Sequence, residues 1–205
     1  MTEQRPPEGS TLRFANLEDV DAIASLHASR ISEGFLVTLG PAFLRRLYRR
    51  IVLSNRSFLL VADDTRTVCG FIAVAESTRA LYREFLLRDG FRASITAASG
   101  ILRAPRSALE TLRYGLRAGN GAGSARPAAE ILATAVAADQ AGRGIASSLV
   151  RAAVEELARR GVATARVVTA VGNDAAVRAY ERGGFRRDGR DAVHRGVTQE
   201  LLVWP

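Results

Sequence analysis

Ala129-Glu-Ile-Leu-Ala-Thr-Ala-Val136, then Ala137-Ala-Asp-Gln140 and Ala141-Gly-Arg-Gly-Ile-Ala146, is the stretch on which the reading of this chain turns. A run of strand length ends at Val136 and a loop with glycines at 142 and 144 follows. Leu149, Val150, Ala153, Val154, Leu157 and Ala158 then recur at helical spacing until Gly161 stops them. A glycine loop that leads a strand into a helix offers backbone N–H groups and the positive end of the helix dipole, so it can hold an anion without any side chain. A pyrophosphate suits such a loop. Two nucleotide-binding patterns are excluded by spacing. The Gly-Lys-Ser/Thr ending of a phosphate-binding P-loop is absent, and so are the three glycines and the acidic residue about 20 positions on that mark a dinucleotide fold.

Upstream, 11–15 alternates as a strand, and Asn16 with Asp19 reads as the capped start of a helix carrying Val20, Ile23, Ala24 and His27 on one face. Gly40-Pro41 opens a second helix, with Phe43, Leu44, Leu47, Tyr48 and Ile51 set against Arg45, Arg46, Arg49 and Arg50. Two apolar runs, 57–62 and 68–75, flank Asp63-Asp-Thr-Arg66 and read as a hairpin. Downstream come a strand over 165–171, a short helix over 174–182 and a terminal hairpin. Glu155 to Arg159 and Glu156 to Arg160 are i,i+4 pairs on the solvent face of the long helix. This alternation predicts an α/β (α+β) fold whose mixed central sheet is flanked by helices.

Between the two halves, 77–128 reads as a helical insertion. It has helix-like stretches at 79–89 and 105–117 and ends in the connector Gly119-Asn-Gly-Ala-Gly-Ser124. Its nine arginines face only Glu84, Asp89 and Glu110, so +6 of the chain's net +8 lies there, and it reads as a lid over an anionic acceptor. The chain of 205 residues is then one domain, 11–205, behind a polar arm, 1–10. No apolar run approaches the roughly 20 residues of a membrane span, and the start lacks the apolar core of a secretory signal, which together predict a cytoplasmic protein. Cys69, alone in an apolar run, reads as core. His27, His194, Phe185 and Trp204 read as structural, and no metal-ligand spacing is present. All 29 basic residues are arginine, and the positive field they create favours anionic partners.

The glycine loop and a second block, Asn173-Asp-Ala-Ala-Val-Arg-Ala-Tyr180-Glu-Arg-Gly-Gly184-Phe185, together resemble the GNAT superfamily of N-acetyltransferases. That family has Arg/Gln-x-x-Gly-x-Gly/Ala after its cofactor strand and Asn-x-x-Ala-x-x-x-Tyr-x-x-x-Gly-Phe further on. The resemblance implies a mostly antiparallel sheet of about seven strands, with the insertion placed before the cofactor strand. It implies an acetyl-CoA site at Val136, Ala137, Ala138, Ala141, Gly142, Arg143, Gly144, Ile145, Ala146, Asn173 and Tyr180. Ala141 departs from the pattern, standing where the family has Arg or Gln, and Gln140 lies one position early.

By the same resemblance Tyr180 protonates the departing thiolate. Glu130 matches the strand glutamate that deprotonates lysine in the histone-acetyltransferase branch, and Glu76 is the second choice of base. The function implied is transfer of an acetyl group to a primary amine of a small, anionic or amino-sugar, acceptor. A non-catalytic acetyl-CoA-binding module and a longer-chain N-acyltransferase are the alternatives, and a homodimer is left open. No nucleic-acid motif accompanies the basic insertion.

Overall fold

The computed structural model describes residues 10–31, 35–64, 67–103, 127–194 and 197–205. Seven strands form one sheet: β1 Ser10–Phe14, β2 Ser57–Asp64, β3 Thr67–Ala75, β4 Ala129–Val136, β5 Ala165–Ala170, β6 Arg186–His194 and β7 Val197–Trp204. Their order is β1-β2-β3-β4-β5-β7-β6, every neighbouring pair being antiparallel except β4 and β5. The expected mixed, mostly antiparallel sheet is therefore present.

Among the described residues six helices cover its two faces. They are α1 Val20–Arg30, α2 Phe35–Thr38, α3 Pro41–Leu53, α4 Thr78–Arg103, α5 Ile145–Arg159 and α6 Asp174–Arg182. Leu60, Ile72 and Val74 point to one face, where Leu149, Val150, Ala153 and Leu157 of α5 and Val177 and Tyr180 of α6 pack. Leu59, Val61, Phe71 and Ala73 point to the other, beneath α1, α3 and the start of α4. With both faces covered, β2 and β3 are apolar along most of their length and do not alternate.

Several local features explain these elements. Asn16 caps the 3₁₀ turn Leu17–Asp19 before α1, its side chain accepting from Glu18 and Asp19 N–H while Asp19 accepts from Asn16 N–H in return. Arg13 clamps this turn to the sheet, at 2.7 Å from Asp19 and 2.6 Å from Asp63. α6 docks closely on α5 because Gly183 follows it: a Cβ there would stand 2.2 Å from Val150 Cγ1. His27 is a core residue, its Nδ1 hydrogen-bonded to the Tyr48 hydroxyl at 2.6 Å, and burial pulls its imidazole down to about 4.

Two expectations change. α4 does not end before Gly90 but runs through it, because tertiary docking outweighs one glycine in a helix. Its first turns are held to α3 by buried Leu81 and Phe85 and by Arg50, which reaches Asp89 at 2.6 Å and Glu84 at 3.4 Å. The second helix-like stretch, 105–117, and most of the arm 1–10 lie outside the described residues. Glu156 is buried and not on a solvent face. It bonds Arg160 at 2.5 Å, and Arg160 in turn holds Glu76 at 2.9 Å and lies over the Phe58 ring. The four-residue α2 had no signal in the sequence. Among the described residues no helix is long and apolar enough to cross a membrane.

Candidate active site

β4 pairs with β3 from Glu130 to Val136, but with β5 only from Ala129 to Ile131. Beyond Ile131 the two strands part and leave a fork. A bulge marks the point of departure: Ala73 faces Ala133 and Val74 faces Ile131, so Leu132 is the extra residue on β4. The bulge also exchanges the two faces of the strand. Ala129 and Ile131 before it, and Val136 after it, pack in the core under α5 and α6, whereas Ala133 and Ala135 pack in the core under α1 and α3. Counted by twos, Glu130 and Thr134 share a face; with Leu132 inserted they point to opposite ones.

The fork opens into a cleft of about 450 Å³. Thr134, Ala135 and Val136 of β4 form one wall and Asn173, Ala175, Ala176, Ala179 and Tyr180 form the other. Residues 140–142 and 144–147 close its far end. Gly142 and Gly144 both have φ of +81°, the left-handed region that glycine adopts without strain. Gly144 is the N-cap of α5 and supplies no side-chain cap, so the first-turn N–H groups of a 15-residue helix are left for whatever enters. A Cβ on Gly142 or Gly144 would meet no protein atom within 4 Å. Glycine is needed there for its backbone angle and for open approach to the amides, not for packing. This cradle fits an anionic group such as a pyrophosphate.

Tyr180 is only 6% exposed and rests against Phe185, ring centroids 5.9 Å apart. Burial pushes its phenol above the ordinary tyrosine value, and the neighbouring Thr134 hydroxyl opposes that push. Asn173 caps α6 by accepting from Ala176 N–H at 3.2 Å and lines the cleft beside it. Gln140 is tied on both sides, accepting from Arg143 at 2.6 Å and donating to Asp64 at 3.3 Å.

Of the residues expected to hold the cofactor, Val136, Ala141, Gly142, Gly144, Ile145, Ala146, Asn173 and Tyr180 line the cleft, while Ala137, Ala138 and Arg143 do not. Neither candidate base lines it. Glu130 is buried on the opposite face of β4, where its Oε2 accepts from Arg166 at 2.8 and 3.2 Å and from the Thr78 hydroxyl at 3.0 Å. Glu76 is paired with Arg160. No Asp, Glu or His is among the described residues that line the cleft.

The sequence reading missed Arg30, Thr134, Arg178 and Arg182. Arg30, at the end of α1, donates through Nε to Val136 O at 3.0 Å, a contact across 106 residues that no local pattern announces. Arg178 and Arg182 were legible in principle, since they flank Tyr180 one turn apart on α6.

Residues 28–185 match the profile of the acetyltransferase (GNAT) family. Among solved structures, AAC(6')-Ib in complex with acetyl-CoA is 18% identical, covering 96% of this chain and 93% of that one with a TM-score of 0.58. The spermidine N-acetyltransferase SpeG chimera from Vibrio cholerae and hSSAT is 17% identical, with 96% and 95% covered and a TM-score of 0.60. The ribosomal-protein-S18-alanine N-acetyltransferase from Escherichia coli is 14% identical, with 96% and 93% covered and a TM-score of 0.59. At these identities the likeness is one of fold. No curated protein matches the chain in sequence.

Proposed function

The chain belongs to the GNAT acetyltransferase family, and from that premise we propose that it transfers an acetyl group from acetyl-CoA to a primary amine of a small acceptor by direct attack. One observation carries this reading: the fork between β4 and β5 opens on an uncapped helix N-terminus, with the buried hydroxyl of Tyr180 in the same cleft.

Within that cleft the main-chain N–H groups of residues 142–146 hold the pyrophosphate of acetyl-CoA, and Ala175, Ala176 and Ala179 leave room beside it. The edge of β4 facing the fork, after Ile131, has lost its β5 partner, and its backbone groups, apart from the Val136 carbonyl held by Arg30, are available to the pantetheine arm and to the thioester carbonyl. Tyr180 then donates the proton that the leaving sulfur requires. Glu130 and Glu76 are held in ion pairs, so the amine gives up its proton to solvent. Ala141 removes a basic side chain from the phosphate loop, but the main-chain donors remain and Arg178 and Arg182 add positive charge nearby. That charge, like the chain's net +8, favours an acceptor that is itself anionic or an amino sugar with acidic groups.

A panel of amines assayed with acetyl-CoA, alongside a thermal scan with acetyl-CoA and with CoA, tests this. The expected result is a rise in Tm with either nucleotide and turnover with at least one amine. Binding without turnover would turn the reading toward a non-catalytic acetyl-CoA module, and no binding at all would remove it.

A further inference from the structure

Thr134 stands in β4 just beyond the Leu132 bulge, on the same side of the sheet as Tyr180, and both line the cleft. Its Oγ1 is buried and has no hydrogen-bond partner among the described residues. Folded chains keep few such groups, because a buried hydroxyl loses its water without recovering the bond. Nothing in the packing of β4 demands one here: valine has the same shape and the same preference for strands. Thr134 is nevertheless the side chain that acts on Tyr180, favouring its ionised form. The two hydroxyls are neighbours close enough to influence each other, yet no contact of full hydrogen-bond geometry joins Thr134 Oγ1 to any described residue.

Resting on the assignment of Tyr180 as the acid, we propose that Thr134 is a positioning residue whose hydroxyl holds Tyr180 toward the leaving sulfur and donates to the phenolate oxygen as the proton departs. When the thioester C–S bond breaks, its electron pair goes to sulfur. The Tyr180 O–H bond breaks and an S–H bond forms, which leaves a phenolate. A phenolate on a side chain as buried as Tyr180 is costly unless a donor meets it, and Thr134 Oγ1 is a donor beside it. The proton released by the attacking amine returns to Tyr180 through solvent, so the site begins and ends neutral. The orphan hydroxyl is thus a bond reserved for one moment of the reaction.

Replacing Thr134 with Val removes the hydroxyl and keeps the shape. The free protein should then be no less stable, its Tm unchanged or raised by about 2–4 °C, since an unsatisfied group has been removed. Acetyl-CoA should bind within about twofold of wild type, while kcat falls about tenfold, the loss expected when a bond to a developing charge is removed. Thr134→Ser should restore kcat to within about threefold. In a Tyr180→Phe background, Thr134→Val should have no further effect.

Wild-type kcat in Thr134→Val overturns the proposal, and so does a fall in Tm of several degrees, the mark of a hydroxyl already bonded within the fold. Tyr180→Phe measured alone separates the two levels of the argument. If that variant is fully active, the acid assignment fails. If it is impaired while Thr134→Val is not, only the coupling fails.

Discussion

The two ends of β4 are seven residues apart and differ in every respect that bears on chemistry. At Ala129–Ile131 the strand has β3 on one side and β5 on the other, and the carboxylate of Glu130 is buried among Arg166 and Thr78. At Thr134–Val136 it has β3 on one side and a cleft on the other, and the Thr134 hydroxyl has no partner among the described residues. In the first region the Glu130 carboxylate and the strand edges have counterparts inside the fold. In the second the counterparts are missing: the N-terminus of α5 has no cap and the β5-facing edge of β4 has no strand. Satisfied groups stabilise the resting protein, and unsatisfied ones are available to a ligand.

Gly144 offers the largest way to break this comparison. Gly144→Val forces a β-branched residue into the left-handed region and sets a side chain across the amides of the loop. We expect acetyl-CoA affinity, measured by calorimetry, to fall more than about 100-fold, because nothing else in the cleft replaces main-chain donors for the phosphates. Unchanged affinity would mean that the anion does not sit on this helix end. Tyr180→Phe comes next. Its kcat should drop by about 10²-fold while the Kd for acetyl-CoA stays within about twofold, the pattern of an interaction needed only as the thiolate leaves.

The satisfied end of the strand should answer in a different quantity. Glu130→Gln removes the carboxylate that Arg166, at 12% side-chain exposure, holds at 2.8 Å. A loss of about 2 kcal/mol is expected, a fall in Tm of roughly 4–8 °C, with kcat per folded molecule unchanged. A kcat reduced in step with that of Tyr180→Phe, at unaltered Tm, would restore Glu130 as the base.

Much of this contrast was legible beforehand, and the exceptions share a cause. The strand, glycine loop and helix from Ala129 to Arg159 and the short helix after Asn173 follow from local periodicity and turn chemistry, which act over a few residues, while the seven-strand count and the role of the Asn173 to Phe185 block came from the family resemblance. Leu132 did not reveal itself as a bulge, since an apolar residue in an apolar run carries no local mark of its extra place in the register. With that extra place unseen, a count by twos would set Glu130 on the face of Thr134, whereas the bulge puts the two on opposite faces. Arg30 reaching Val136 O, and Glu156 buried against Arg160, are likewise fixed by segments distant in sequence or by packing that no helical repeat reveals. α4 passing through Gly90 is the same lesson in a helix: docking to Arg50 of α3 decided what propensity alone did not.

The smallest expected effect tests whether the open side of the comparison extends to its rim. Arg178 and Arg182 lie one turn apart on α6, are exposed, line the cleft, and have no carboxylate partner among the described residues. Arg50 and Arg166, by contrast, have side chains only 10% and 12% exposed and are paired. An exposed cation acting on a phosphate contributes only about 0.2–1 kcal/mol, so replacing both with Gln should weaken acetyl-CoA about three- to tenfold. The loss should depend on salt, because exposed charges are screened beyond roughly 8 Å at physiological ionic strength. Wild-type affinity should therefore fall as salt rises, and the double variant's should fall less, until the two converge near about 1 M, where screening reaches roughly 3 Å. At saturating acetyl-CoA, kcat should be equal in both proteins, since neither guanidinium is assigned to the reacting atoms. Equal affinities at low salt would break the argument, and in a chain whose 29 basic residues are all arginine such a result would leave these two as solvated surface. A difference that persists at high salt would instead mean that they act through hydrogen bonds of fixed geometry, and the rim would then be as built to receive its ligand as the loop is.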